Sequence, residues 1–194
     1  ALPKLPPAYG FKGGAARYAL AKILGEKDIS ERLRDYDLVR VMPICDHEFA
    51  DESDKTLAAL LMHEDFKNGH GVERVVSLEK YFESRDLTIN EALLYNGHLV
   101  CSKNALLHTA YRVLEPTRRY VDGQDALDGK VALKLLRFQA QYRASGKEFQ
   151  ARGFSKVGTA SPFCIRLNFA RSMQHSRCAG RIFLALCLER GLIT

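Results

Sequence analysis

The sequence predicts an α+β protein, with a small α+β first half followed by an all-helical second half. Up to about residue 115, short segments rich in Val, Leu and Tyr alternate with segments of helical period. Beyond Pro116 the apolar residues recur at helical spacing. We therefore predict two domains, 1–115 and 116–194, for which the length of 194 residues is sufficient.

In the first half, the extended segment YGFKGG leads into AARYALAKILGE. The apolar period of that segment predicts a helix from just after the Gly pair to about Gly25. DYDLVRVM is predicted to be a strand ended by Pro43, and VERVVSL a short strand. Helices are predicted for SDKTLAALLMHEDF and for RDLTINEALLYNG, the latter ending at Asn96–Gly97.

Helical segments dominate the sequence after about residue 100. SKNALLHTAYRVL is amphipathic and is stopped by Pro116, and LDGKVALKLLRFQAQYRAS predicts a long helix. The last forty residues predict two helices around GTASP.

Composition narrows the class of protein. The net charge is +6, with Lys and Arg concentrated after residue 112. This charge is typical either of a protein with polyanionic partners, nucleic acid above all, or of a generally basic cytosolic protein. No window reaches the roughly 18 apolar residues of a membrane span, so we expect no membrane partner. Five cysteines, an odd number without a CxxC pair, suggest reduced thiols and a cytoplasmic protein.

The first forty residues combine features of a phosphate and metal site. Gly13 and Gly14 precede a predicted helix, whose free N–H groups and dipole attract oxyanions. Arg17, one turn into that helix, could reach a phosphate. Asp35 and Asp37 lie two apart on a predicted strand and therefore share a face. Mg²⁺ often binds one or two carboxylates together with substrate phosphates.

Three segments, in this order, resemble one enzyme family. They are KGGAARYALAKI followed by RDYDLV, then SLEKYFESRDLTINEALLYNGHLV, then ALDGKVALKLLRFQAQY. They are similar to the motifs of polymerase-β-type nucleotidyltransferases, in the branch of tRNA CCA-adding enzymes and bacterial poly(A) polymerases. The resemblance covers residues 11 to about 142, and RDLTIN is its most specific part. It implies a nucleotidyltransferase-type mixed sheet with flanking helices, the head, followed by a helical neck-like region.

The resemblance implies roles for the matching residues of the first motif. Gly13, Gly14 and Arg17 would hold the triphosphate of an incoming nucleotide. Asp35 and Asp37 would be the catalytic carboxylates and would bind Mg²⁺, in a two-ion site.

The later motifs imply further nucleotide-binding residues. Arg85 and Asp86 would contact the sugar and phosphate region of the nucleotide, with Asn90 supporting that site. In the neck, the arginines of the family read the base of ATP or CTP. Arg137 matches one of them, and Lys134 stands where another is expected.

Several positions depart from the family pattern. Val131 replaces a base-reading arginine and cannot hydrogen-bond through its side chain. Ser84 replaces the first arginine of an Arg-Arg-Asp run, and Tyr18 replaces an aspartate. For a third catalytic carboxylate, Asp46 and Glu73 are the candidates.

The favoured function is therefore Mg²⁺-dependent, template-independent transfer of NMP from ATP or CTP to the 3′ end of an RNA, with tRNA as a candidate, releasing pyrophosphate. The spaced Lys and Arg residues over 130–156 would then bind RNA phosphates. The alternative is that they form a solvated helix face without a ligand. One alternative is transfer to a protein or small-molecule hydroxyl, and another is a non-catalytic RNA- or nucleotide-binding module with a decayed site. A zinc cluster is disfavoured because its ligands fit no common spacing: Cys45, Asp46, His47 and His63 or His70.

Overall fold

A computed structural model describes residues 4–5, 7–26, 37–41 and 72–193, which form two compact units. The first unit comprises Ala1–Arg85 and Asn90–Leu106, and the second comprises Asp86–Ile89 and Leu107–Thr194. The predicted fold class is confirmed: a mixed sheet with flanking helices and a mainly helical C-terminal region. The division into domains at 1–115 and 116–194 stays a prediction.

The described part of the first unit contains a five-stranded mixed sheet in the order β3-β2-β1-β4-β5. The strands are β1 (Tyr9–Lys12), β2 (Asp37–Val41), β3 (Val72–Val75), β4 (Ala92–Tyr95) and β5 (His98–Cys101). The central strand β1 is antiparallel to β2 and β4, whereas β2 and β3 are parallel. The strands predicted from YGFKGG, DYDLVRVM and VERVVSL are therefore confirmed over the residues that are described.

Helices pack against this sheet through apolar side chains. Helix α1 (Gly14–Ile23) begins at the second glycine of the pair, one residue before the predicted start, and buries Ala15, Ala16 and Leu20. Helix α2 (Leu78–Glu83) begins at Ser77, whose hydroxyl accepts a hydrogen bond from the Lys80 amide. Helix α3 (Lys103–Ala110) has residues in both units.

The helix predicted for RDLTINEALLYNG is wrong. Thr88–Asn90 forms a single 3₁₀ turn, and the chain then enters β4 and returns in β5. Asn96 and Gly97 connect these strands with φ values of 49° and 77°. Two consecutive positive φ values suit a two-residue hairpin turn, for which Asn-Gly is the preferred sequence. The short apolar run ALLY fits either period, and pairing with β1 makes it a strand.

The second unit is built around a long helix, α4 (Gly129–Ala144). The Asp128 carboxylate caps it by accepting hydrogen bonds from the amides of Lys130 and Val131, at 2.9 and 3.2 Å. The further elements are β6 (Val113–Leu114), the 3₁₀ turn Arg118–Tyr120, β7 (Gln150–Ala151), α5 (Pro162–His175) and α6 (Arg177–Glu189). The last two helices do not flank GTASP. Helix α5 begins at Pro162, the last residue of that segment, after the Ser161 cap, and α6 begins after the Ser176 cap.

The core of the second unit lies between α4, α5 and α6. Leu133, Leu136 and Phe183 are buried there, with at most 1% of each exposed. Burying an apolar side chain of this size contributes about 1.5–3 kcal/mol. Val131, which stands where the family has a base-reading arginine, is buried in the same core. The packing of this helix accounts for an apolar residue at that position.

Candidate nucleotide and metal site

The start of α1 lies directly against a carboxylate. Gly13 has φ 61° and ψ −128°, a conformation that favours glycine. A Cβ at Gly13 would lie 2.6 Å from Oδ2 of Asp37, so a larger residue would collide with the carboxylate. Lys12 faces Asp37 across the β1–β2 ladder. The structure therefore brings together the predicted Gly13–Gly14 turn and the predicted Asp37.

Arg17 and Asn90 meet although they are far apart in the sequence. Arg17 Nη1 donates a hydrogen bond of 2.7 Å to Asn90 Oδ1. Asn90 is 6% exposed and ends the Thr88–Asn90 turn, so its side chain has little freedom. Two residues that the sequence assigned to one nucleotide site thus contact each other, and Asn90 orients the guanidinium.

Arg85 is held on several sides. Its Nε donates to the Tyr81 carbonyl oxygen at 3.0 Å, and its guanidinium carbon lies 4.1 Å from the centre of the Tyr81 ring. Its Nη2 donates to Ser84 Oγ at 2.7 Å and forms an ion pair with Glu73. Ser84, which replaces an arginine of the family pattern, thus helps to orient the arginine that remains.

Glu73 on β3 accepts hydrogen bonds from two cations, Lys12 and Arg85, one on each carboxylate oxygen. Burial on its own would raise the pKa of Glu73. The hydrogen bonds and charges of Lys12 and Arg85 outweigh that effect and hold the pKa below its ordinary value. The sequence offered Glu73 as a third catalytic carboxylate, whereas here its two oxygens serve as counter-ions.

Lys12 was missed by the sequence analysis. Its position directly before the Gly pair was visible, but nothing local indicates a partner 61 residues away. Its side chain is 19% exposed, so it is accessible to a ligand.

Three further predicted residues lie in the second unit. The Lys134 ammonium forms an ion pair with the Asp86 carboxylate, whose Oδ1 also accepts a 2.8 Å hydrogen bond from the Leu87 amide. The Arg137 guanidinium lies 4.8 Å from the centre of the Phe138 ring. These contacts account for the positions of Asp86, Lys134 and Arg137, and their nucleotide-binding roles stay predictions.

A polar cluster of Thr88, Glu115 and Arg152 surrounds the buried side chain of His108. Arg152 Nη2 lies 3.3 Å from His108 Nε2 and can only donate, so Nε2 of a neutral ring accepts. The ring proton is then on Nδ1, which lies 2.7 Å from Thr88 Oγ1. Burial lowers the pKa of His108; Glu115 opposes that shift and Arg152 reinforces it. The neutral ring thereby fixes Thr88, at the start of the 3₁₀ turn.

Of the two carboxylates predicted to bind Mg²⁺, the structure describes Asp37. Asp35 lies outside the described residues, as do the residues proposed for a zinc cluster and the candidate Asp46. Among the residues that are described, no group of three or more His, Cys, Asp or Glu could hold a metal ion. Asp37 fits the expected ion chemically, because it sets a carboxylate oxygen against the Gly13 turn where substrate phosphates are expected.

Comparisons with known proteins address the fold. No protein-family model matches the chain, and no curated protein matches it in sequence. A solved structure described as a "tRNA-processing enzyme with CTP" aligns with 95% of this chain at a TM-score of 0.51 and 15% identity. The chain shares the fold of that enzyme. At this identity the likeness concerns the fold alone, and this chain spans 53% of the other chain's length.

No helix in the described ranges is long and apolar enough to cross a membrane. The absence of a membrane partner and the cytoplasmic location both stay predictions.

Proposed function

We propose that the protein is a Mg²⁺-dependent, template-independent nucleotidyltransferase that adds NMP from ATP or CTP to the 3′ end of an RNA. The observation that carries the proposal is the Asp37 carboxylate set against Gly13 at the start of α1. A phosphate-binding turn and a metal-binding carboxylate side by side are what nucleotidyl transfer requires. The tRNA-processing enzyme with CTP, which has the same fold, supports this choice.

In this reaction the 3′-hydroxyl oxygen forms a bond to the α-phosphorus. The bond between the α-phosphorus and its bridging oxygen breaks, pyrophosphate leaves, and the hydroxyl proton is released. The backbone amides at the start of α1 would bind phosphate oxygens of the NTP, and the Arg17 guanidinium would bind other oxygens of the same triphosphate. Arg85, fixed against Tyr81 and paired with Glu73, would add positive charge beside the sugar and phosphate region of the nucleotide. Asp37, with Asp35, would hold Mg²⁺, which supplies charge neutralisation at the reacting phosphate when bound.

The test is RNA extension with each of the four NTPs in turn, comparing the wild type with Asp35→Ala. We expect the wild type to extend RNA with ATP or CTP in Mg²⁺. Asp35→Ala should fold normally and lose at least about a hundredfold in rate, as expected for a dominant electrostatic group. An active Asp35→Ala protein would contradict the metal assignment.

The acceptor is tested in parallel by adding labelled ATP or CTP to RNA and to cell lysate. Label in the RNA fraction supports the proposal, whereas label in protein or small molecules supports the alternative acceptor. Calorimetry without any Mg²⁺-dependent NTP binding would instead support a non-catalytic module. Val131 is buried and its side chain cannot form hydrogen bonds, so this position cannot recognise the base of the NTP.

A further inference from the structure

We propose that Lys12 is a further phosphate-binding residue, which exchanges Glu73 for a phosphate oxygen of the bound nucleotide. Arg85 remains on Glu73 when this happens. The inference rests on the proposed nucleotidyl transfer and adds to it a residue that none of the sequence motifs assigned.

The position of Lys12 places it at the phosphate-binding turn. It is the last residue of β1, and Gly13 and the start of α1 follow it directly. In the antiparallel ladder it lies opposite Asp37, so the two side chains share a face of the sheet. Glu73 lies opposite Val39, two residues along β2 from Asp37, and therefore belongs to the same face.

The two cations on Glu73 are held very differently. Arg85 is fixed by the Tyr81 carbonyl and ring and by Ser84, and 14% of its side chain is exposed. Lys12 ends in a compact ammonium on a flexible stem, and in the described part of the chain its ion-pair partner is Glu73. Of the two, Lys12 is therefore the one that can move to a ligand.

Because Lys12 and Arg85 share the Glu73 carboxylate, moving Lys12 to a phosphate costs little free energy. Removing one partner of a half-buried ion pair normally leaves an uncompensated charge, which is strongly destabilising. Here Glu73 keeps Arg85 after Lys12 leaves, and Lys12 gains a phosphate with a higher charge. Without a ligand, Glu73 gives the ammonium a partner in its partly buried position.

The experiment is calorimetry of CTP and of inorganic tripolyphosphate in a metal-free buffer with chelator, using the full chain. Lys12→Gln should weaken binding of both ligands about tenfold or more, the usual effect of losing a hydrogen bond to a charged group. Lys12→Arg should restore most of the affinity, because it keeps the charge. Lys80→Gln is the matched control, since Lys80 is exposed and pairs with Glu83 on α2.

Glu73→Gln separates a binding role from a structural one. If Lys12 binds phosphate, removing its competing carboxylate should leave tripolyphosphate affinity at least as high as in the wild type. Equal losses in Lys12→Gln and Glu73→Gln, or no loss in Lys12→Gln, would overturn the inference while leaving the proposed function standing. Should Lys12→Gln fail to fold, reduced affinity in Glu73→Gln would still overturn it. A wild-type protein that binds neither ligand, with or without Mg²⁺, would overturn the proposed function itself.

Discussion

At the scale of single residues, the site depends on side chains that orient other side chains. Asn90 has no proposed role in the reaction itself. Its amide oxygen accepts a hydrogen bond of 2.7 Å from Arg17 Nη1. Tyr81 is buried and supports Arg85 with both its ring and its carbonyl oxygen. Burial also raises the pKa of Tyr81, which keeps its hydroxyl neutral as a donor to the Ala92 carbonyl at 3.2 Å.

We expect Asn90→Ala to raise the KM for NTP about tenfold, because a charge-assisted hydrogen bond that orients Arg17 is removed. The effect on kcat should be smaller, since the carboxylates are untouched. Steady-state kinetics and a thermal unfolding curve would separate this outcome from general destabilisation. A KM equal to that of the wild type would show that Arg17 needs no orientation by Asn90.

His108 predicts how stability depends on pH. Because burial lowers its pKa in the folded protein, the unfolded chain binds more protons between the folded and the unfolded pKa values. The contribution of the neutral ring is therefore complete above the unfolded pKa of about 6.5 and is lost as pH falls below it. His108→Gln should make stability less sensitive to acid, as measured by urea unfolding from about pH 7.5 to about pH 5.5, a range that spans the ordinary histidine pKa. Parallel pH profiles for the two proteins would contradict this interpretation.

At the scale of elements, the turn from β1 into α1 decides whether the site can form. It needs a positive φ and an absent side chain at one position, Gly13. Strand β1, the centre of the sheet, fixes where that turn lies relative to β2. The end of β1 therefore brings together the start of α1, the Asp37 carboxylate and Lys12.

Gly13→Ala should destabilise the protein and abolish NTP binding, because the new Cβ meets Asp37 Oδ2 at 2.6 Å. Gly25→Ala is the matched control after the other end of α1, with φ 82° but nothing within 4 Å of an added Cβ. That control should show only the strain of positive φ, roughly 1–2 kcal/mol. Calorimetry with CTP measures the loss of binding, and urea unfolding measures the loss of stability. A similar loss of binding in both variants would show that the clash with Asp37 is not its cause.

At the scale of the whole molecule, charge is distributed unevenly between the two units. The second unit contains 15 Lys and Arg against seven Asp and Glu, an excess of positive charge larger than that of the entire chain. Arg166, Arg171, Arg177 and Arg181 are exposed on α5 and α6. Such a surface attracts phosphates independently of sequence.

The proposed RNA binding should consequently weaken steeply as the salt concentration rises. Replacing Arg177 and Arg181 together by Gln should lower the slope of log affinity against log salt by about 0.7 for each RNA phosphate that the variant no longer neutralises. Fluorescence anisotropy with a single-stranded RNA at several salt concentrations measures that slope, and Lys80→Gln serves as the control. An unchanged slope would place the RNA elsewhere on the protein.

The sequence by itself determined the features that local pattern encodes. Apolar period and glycine position placed α1 and α4. The motifs assigned Gly13, Arg17, Asp37 and Asn90 to one predicted nucleotide and metal site. The short run ALLY was beyond this reasoning, because four apolar residues fit a helix or a strand until a neighbouring strand pairs with them.

Only the tertiary structure decided which residues meet. Lys12 pairs with Glu73 across 61 positions, and Arg17 with Asn90 across 73, because sheet register and helix packing bring them together. No local period carries that information. The structure thereby shows Glu73, a candidate catalytic carboxylate, paired with two cations, Lys12 and Arg85. It also brings Lys12, which no motif marked, next to the predicted site.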